Sequence, residues 1–126
     1  MIQYSWRKKL MNKIEKIEKP WGYEVIWAKT DNYSAKFLHI NPNSRLSLQY
    51  HKEKEETIYV MAGDLIFQLG EDGDETVTGP GSIIHVKPGE VHRFGAGNTP
   101  VMLSEVSTSE LDDVVRLEDD YKRVQK

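Results

Sequence analysis

Between Tyr23 and Val106 the chain alternates apolar and polar positions in short runs, each closed by turn residues. YEVIWA (Tyr23 to Ala28), YSAKFLHI (Tyr33 to Ile40), RLSLQYH (Arg45 to His51) and ETIYVMA (Glu56 to Ala62) each predict a strand. So do LIFQL (Leu65 to Leu69), ETVT (Glu75 to Thr78), SIIHV (Ser82 to Val86), HRFGA (His92 to Ala96) and VMLSEV (Val101 to Val106). Breakers such as Gly63-Asp64, Gly79-Pro80-Gly81 and the stretch Lys87 to Glu90 separate them. Many short, evenly spaced strands with Gly/Pro turns predict an all-β sandwich or barrel.

Two segments break the period. The tail SELDDVVRLEDDYKRV predicts a short C-terminal helical segment, with Ser109 as its cap and Asp112 three residues on. At the start, Trp6, Leu10, Ile14 and Ile17 fall at helical spacing, but the stretch is lysine-rich and precedes Pro20. It reads as an N-terminal arm over residues 1–18 whose order depends on a partner, ahead of one domain over residues 19–123. A run of opposite interest is RLSLQYH, where the polar residues Ser47, Gln49 and His51 share one strand face and Leu46, Leu48 and Tyr50 the other. Gln49 and His51 therefore stand side by side and can address a single ligand.

Composition narrows the class. At 126 residues the chain has room for one core, and 38% hydrophobic with 29% charged residues fits a globular domain. A net charge of −3 gives no general attraction to nucleic acid or to an anionic membrane, so an anionic ligand must be met by local Lys and Arg. There are no cysteines, which excludes disulfides and thiolate metal ligands. No apolar run approaches the roughly 20 residues of a membrane span, and the start lacks the apolar stretch of a signal peptide. A cytoplasmic protein is the expectation.

The histidines sit in a pattern. Asn43, Gln49, His51, Glu56 and Gly63 read N-x5-Q-x-H-x4-E-x6-G, and Pro80 to His92 reads P-G-x5-K-P-G-x2-H. This pair of motifs resembles those of the cupin superfamily, small jelly-roll barrels whose metal ligands fall at the positions of Gln49, His51, Glu56 and His92. Gln49 stands where most cupins have a histidine, Asn43 replaces a glycine, Lys87 a proline and Ala96 an asparagine. Asn tolerates the left-handed conformation that glycine supplies, so Asn43 is compatible with the turn. The string LSLQ-x-H followed by Glu, together with KPWGYEVIW and SEVSTSELDDVVRLEDDYKR, is similar to the mannose-6-phosphate isomerase type II branch, over about residues 19 to 123.

The chemistry of these residues agrees with what the resemblance implies. Gln, His, Glu and His pointing into an apolar barrel need a compensating partner, and one divalent metal supplies it. Imidazole, carboxylate and amide oxygen suit Zn²⁺ best, with Mn²⁺, Fe²⁺, Co²⁺ or Ni²⁺ as alternatives. His39 and His85 lack such company and read as ordinary histidines. For a phosphorylated sugar, Lys54, where relatives carry Arg, and Arg93 and Arg116 are the candidate substrate-binding cations. The leading expectation is a metal-dependent sugar-phosphate aldose–ketose isomerase, its proton-transfer base unassigned among Lys54, His85 and His39. A non-catalytic carbohydrate-binding or regulatory cupin is the first alternative. A metal-dependent oxygenase built on His51, His92 and Glu56 is the second. A small jelly roll has sheet edges to cover, so a homodimer using the arm or first strand is also expected.

Overall fold

The computed structural model describes residues 14–123, and every regular element among them is a strand. In chain order these are β1 (Glu15–Lys19), β2 (Gly22–Lys29), β3 (Ser34–Ile40), β4 (Leu48–Tyr50), β5 (Glu56–Ala62) and β6 (Leu65–Leu69). β7 (Glu75–Thr78), β8 (Ile83–Val86), β9 (His92–Ala96), β10 (Val101–Ser107) and β11 (Val115–Glu118) follow. One sheet runs β1-β2-β3-β10-β5-β8, the other β11-β4-β9-β6-β7. All pairings are antiparallel, which lets each sheet be apolar on one face and solvated on the other. The nine strands expected between Tyr23 and Val106 are all present. No helix of the described residues is long and apolar enough to cross a membrane.

The alternation in sequence becomes an inward row in space. Leu38, Leu103 and Val60 are cross-strand partners and all three are buried. They form a closed apolar floor with Ile40, Ile58, Leu65, Val86, Phe94 and Val101. Turns keep this register. Gly63, between β5 and β6, has φ 81°, and a Cβ there would lie 2.2 Å from the Pro100 carbonyl oxygen, so only glycine fits. Asn43 has φ 56°, the left-handed turn its side chain allows.

Two expectations are corrected. The tail is not helical: residues 111–112 form a turn, and Val115, Arg116 and Glu118 pair with Tyr50, Gln49 and Leu48 as strand β11. The β-branched pair Val114-Val115 suits a strand better than a helix, and β4 would otherwise present an open edge. Likewise the sheet begins at Glu15, ahead of the expected boundary at residue 19. Ile17 pairs with Glu24, so Ile14 and Ile17 belong to no helix. The rest of the proposed arm, residues 1–13, lies outside the described residues.

Candidate metal centre and its pocket

Three strands and a turn bring the motif residues together. Gln49 on β4 is the direct partner of His92 on β9, so the two side chains share one face of the five-stranded sheet, and His51 lies two residues past Gln49. Glu56 opens β5 in the opposite sheet and reaches across. His51 Nε2 lies 3.1 Å and His92 Nε2 3.2 Å from the Glu56 carboxylate, and one ligand atom from each of the three residues falls within 4.8 Å of the others. All three are buried. Gln49 borders the same cavity, and its amide oxygen accepts the Ser47 hydroxyl at 2.7 Å.

The donor set fits a cation. His92 Nδ1–H donates to the Glu90 carbonyl (2.9 Å), and His51 Nδ1–H to the Asp113 carbonyl. Each bond leaves Nε2 as the nitrogen free to offer a lone pair to an ion, as where a metal-ligating histidine donates its other ring N–H to a carbonyl. His92 Nε2 is fully enclosed and has no partner of hydrogen-bond geometry. Burial raises the Glu56 carboxyl, but hydrogen bonds that the two imidazoles donate to it when no ion holds their Nε2 atoms, together with the Lys54 charge, outweigh burial and hold the group well below the carboxylate range. A buried, ionised carboxylate facing an orphaned imidazole nitrogen is what a divalent ion would satisfy.

Behind Glu56 runs a chain of buried charges. Lys54 Nζ lies 3.6 Å from Glu56 and 3.1 Å from Glu105; Lys36 Nζ lies 3.6 Å from Glu105 and 2.8 Å from Glu24. Burial lowers the Lys36 ammonium, but Glu105 and Glu24 outweigh it and raise it overall. Glu105 is pushed up to about 7, chiefly by burial and then by the Glu56 charge. The sequence reading missed Glu24, Lys36 and Glu105. The signal was present: Lys36 shares its strand face with Leu38 and Ile40, and Glu105 with Val101 and Leu103. A charge on the apolar face of a strand marks a buried pair or a site.

Beside the centre lies a cavity of about 320 Å³, lined among others by Gln49, His51, Lys36, Lys54, Arg116 and Arg123, at the lower end of the size of small-molecule pockets; of the His51–Glu56–His92 group, His51 lines it. Of the cations expected to meet substrate, Lys54 and Arg116 line it. Arg93 does not. Its Nε donates to the Leu46 carbonyl, and it lines a separate concavity with Arg45 and Asp120, because strand alternation turns it away from its neighbour His92. Lys54 is held between two carboxylates, whereas Arg116 Nε is enclosed without a hydrogen-bond partner among the described residues. Burial first, then the nearby Arg123 charge, lower the Arg116 guanidinium. Arg123, also missed, is anchored to Asp119 by two hydrogen bonds of 2.7 and 3.2 Å. Of the histidines set aside, His39 stacks on Tyr23 and His85 pairs with exposed Glu55, both away from the cavity.

The fold and the motifs meet in known proteins. A "cupin-2 domain" of Rhodospirillum rubrum superposes with TM-score 0.71 over 86% of this chain and 77% of its own, at 10% identity. A Klebsiella pneumoniae protein with a double-stranded β-helix domain gives 0.67 over 83% and 86%, at 22% identity. These share the fold: the chain has the double-stranded β-helix architecture of those domains. In sequence it is 35% identical over 113 residues to a mannose-1-phosphate guanylyltransferase of Escherichia coli, covering 86% of this chain and 23% of that protein. The chain thus spans about a quarter of the length of such relatives. Residues 7–119 match the family model described as mannose-6-phosphate isomerase C-terminal, and the chain belongs to that family.

Proposed function

We propose that the chain is a metal-dependent sugar-phosphate isomerase of the mannose-6-phosphate isomerase type, acting in the cytoplasm. The observation that carries this reading is one cross-strand row, Arg116–Gln49–His92, which sets a free guanidinium on the same sheet face as the metal-ligand set. Two strand spacings separate its ends, about 10 Å. An extended hexose monophosphate has that reach, with its carbonyl end at the histidines and its phosphate at Arg116 and Arg123. His51, Glu56 and His92, joined by Gln49, would hold the ion, with Zn²⁺ the best match to the donors. When bound, such an ion supplies Lewis-acid polarisation of a carbonyl and its neighbouring hydroxyl.

The chain's own residues do the rest. Arg116 and Arg123 fix the anionic end, and Glu105 with Glu56 holds the Lys54 ammonium beside the ligand set. Lys54 is the one candidate for proton transfer that lines the cavity, since His39 and His85 lie outside it.

Solvent deuterium exchange tests the reading directly. Metal-loaded protein in D2O is expected to place deuterium at C1 or C2 of a hexose phosphate and to interconvert aldose and ketose. Binding of the sugar phosphate without exchange would replace this reading by the non-catalytic carbohydrate-binding cupin. Iron retention with oxygen uptake would replace it by the oxygenase.

A further inference from the structure

The connection between β4 and β5 has to keep three groups of the centre in register: His51 begins it, Lys54 lies within it and Glu56 follows it. Its N–H groups have no neighbouring strand to pair with, and if they turned to water nothing would fix its path. Four consecutive ones are instead met by side chains of one distant segment. The Asp113 carboxylate accepts the N–H groups of Lys52 (3.1 Å), Glu53 (2.7 Å) and Lys54 (2.9 Å), and the Thr108 hydroxyl accepts that of Glu55 (3.0 Å). Asp113 thus fills the concave nest of backbone donors that elsewhere receives a bound anion.

Asp113 reaches the centre through a second atom. Its main-chain carbonyl accepts the Nδ1–H of His51, so one residue fixes both the backbone on which this imidazole stands and the direction of its ring. A hydrogen bond at one ring nitrogen sets the tautomer and aims the other nitrogen at the ion. His92 obtains the same bond locally, from the carbonyl of Glu90 two residues before it. His51 obtains it from a residue 62 positions away. The orientation of His92 is therefore built into its own turn, whereas that of His51 depends on the tail being docked.

We propose that Asp113 is the positioning residue of the metal centre: its carboxylate shapes the 52–54 turn and its carbonyl aims His51, so that Nε2 stands ready for the ion beside Glu56. The inference rests on reading His51, Glu56 and His92 as metal ligands. Asp113 itself does not line the cavity and is not one of the three grouped residues, so it acts through His51 and touches neither ion nor substrate.

The Zn²⁺ affinity of the full chain, measured by competition with a chromophoric chelator, provides the test. Asp113→Ala is expected to bind roughly 10–100-fold more weakly, the usual loss when the partner that orients a ligating histidine is removed. The visible spectrum of the Co²⁺-loaded variant should differ from that of the wild type, because the coordination geometry changes. Asp113→Asn can keep one oxygen on the Glu53 and Lys54 N–H groups, while its amide N–H₂ faces Lys52, and is expected to weaken binding less. Asp120→Ala cuts another strap of the same tail, the pair with Arg45, and should leave Zn²⁺ affinity unchanged. Wild-type affinity and an unchanged Co²⁺ spectrum in a folded Asp113→Ala overturn the inference while leaving the metal centre in place. An equal loss in Asp120→Ala also overturns it, since any anchor of the tail would then serve. If circular dichroism shows Asp113→Ala unfolded, Asp113→Asn carries the test, and wild-type affinity there overturns the inference. A wild type that binds neither Zn²⁺ nor Co²⁺ removes the reading of the centre and this inference with it.

Discussion

Arg116 and Lys54 show how one residue type, a cation at the cavity wall, takes two roles according to its partners. Lys54 sits between Glu56 and Glu105 and balances buried carboxylates. Arg116 has an enclosed Nε with no hydrogen-bond partner among the described residues, with Arg123 beside it and Asp119 committed to Arg123. The guanidinium is therefore available to an incoming anion, and it presents its donors in a planar fork. Arg116→Ala is expected to weaken sugar-phosphate binding by about 1.5–3 kcal/mol, the range for a hydrogen bond to a charged group, with metal content unchanged. Lys54→Ala should act on stability instead, because Glu56 then loses its ammonium partner and faces Glu105 with Lys36 as the one lysine left between the buried carboxylates. Calorimetry and chemical denaturation on the two variants separate these effects; equal loss of affinity with equal stability would contradict the assignment.

At the scale of elements, the tail is the part that behaves unlike the others. It is strapped down by carboxylates. Asp113 accepts the backbone N–H groups of Lys52, Glu53 and Lys54, Asp119 those of Tyr121 and Arg123, and Asp120 pairs with Arg45. Burial raises the Asp119 carboxyl, but the Arg123 guanidinium and these N–H groups prevail and hold it below the usual range. A depressed folded-state value means that its contribution is complete above the unfolded value, about 3.9. The contribution is lost as pH falls through the lower folded value. Nuclear magnetic resonance of the Tyr121 and Arg123 amides should show the tail released in acid below about pH 4. Asp119→Asn should lack that titration step, because its side chain does not ionise. The same straps explain what was legible in the sequence. Strands β2 to β10 follow from local alternation and local turns, and so does the shared face of Gln49 and His51, whereas Glu56 and His92 were legible through the spacing of the two motifs. The fate of the tail depends on Asp113 meeting a turn some sixty residues earlier, and that of Arg123 on a strand pairing with β4; the local cues Ser109 and Asp112 pointed to a helix instead. Glu105 and Lys36 were visible as charges on apolar strand faces, but their partnership is formed only by the register of β3 with β10.

For the whole molecule, the His51–Glu56–His92 group, which could hold a metal ion, is a joint between sheets. His51 and His92 belong to the five-stranded sheet and Glu56 to the six-stranded one, and the barrel is floored by apolar residues but polar above, where Glu56, Glu105, Lys36 and Lys54 face one another. An ion held by residues of both sheets binds the folded chain and not the unfolded one. It therefore stabilises by mass action, about 2.7 kcal/mol at one hundred times its Kd. A chain of 126 residues falls between the sizes at which each kcal/mol moves Tm by roughly 4–8 °C and by roughly 2–4 °C, so the shift is about 4 °C per kcal/mol. Chelation should thus lower Tm by about 10 °C or more, and Zn²⁺ should restore it. His92→Ala should abolish the metal-dependent part of this shift while retaining the fold, since it removes the enclosed nitrogen that no protein group satisfies. Differential scanning calorimetry with and without Zn²⁺ reads the effect. A wild-type Tm that ignores both chelator and metal would show that these groups meet for a structural reason alone, with Lys54 as the only charge that Glu56 needs.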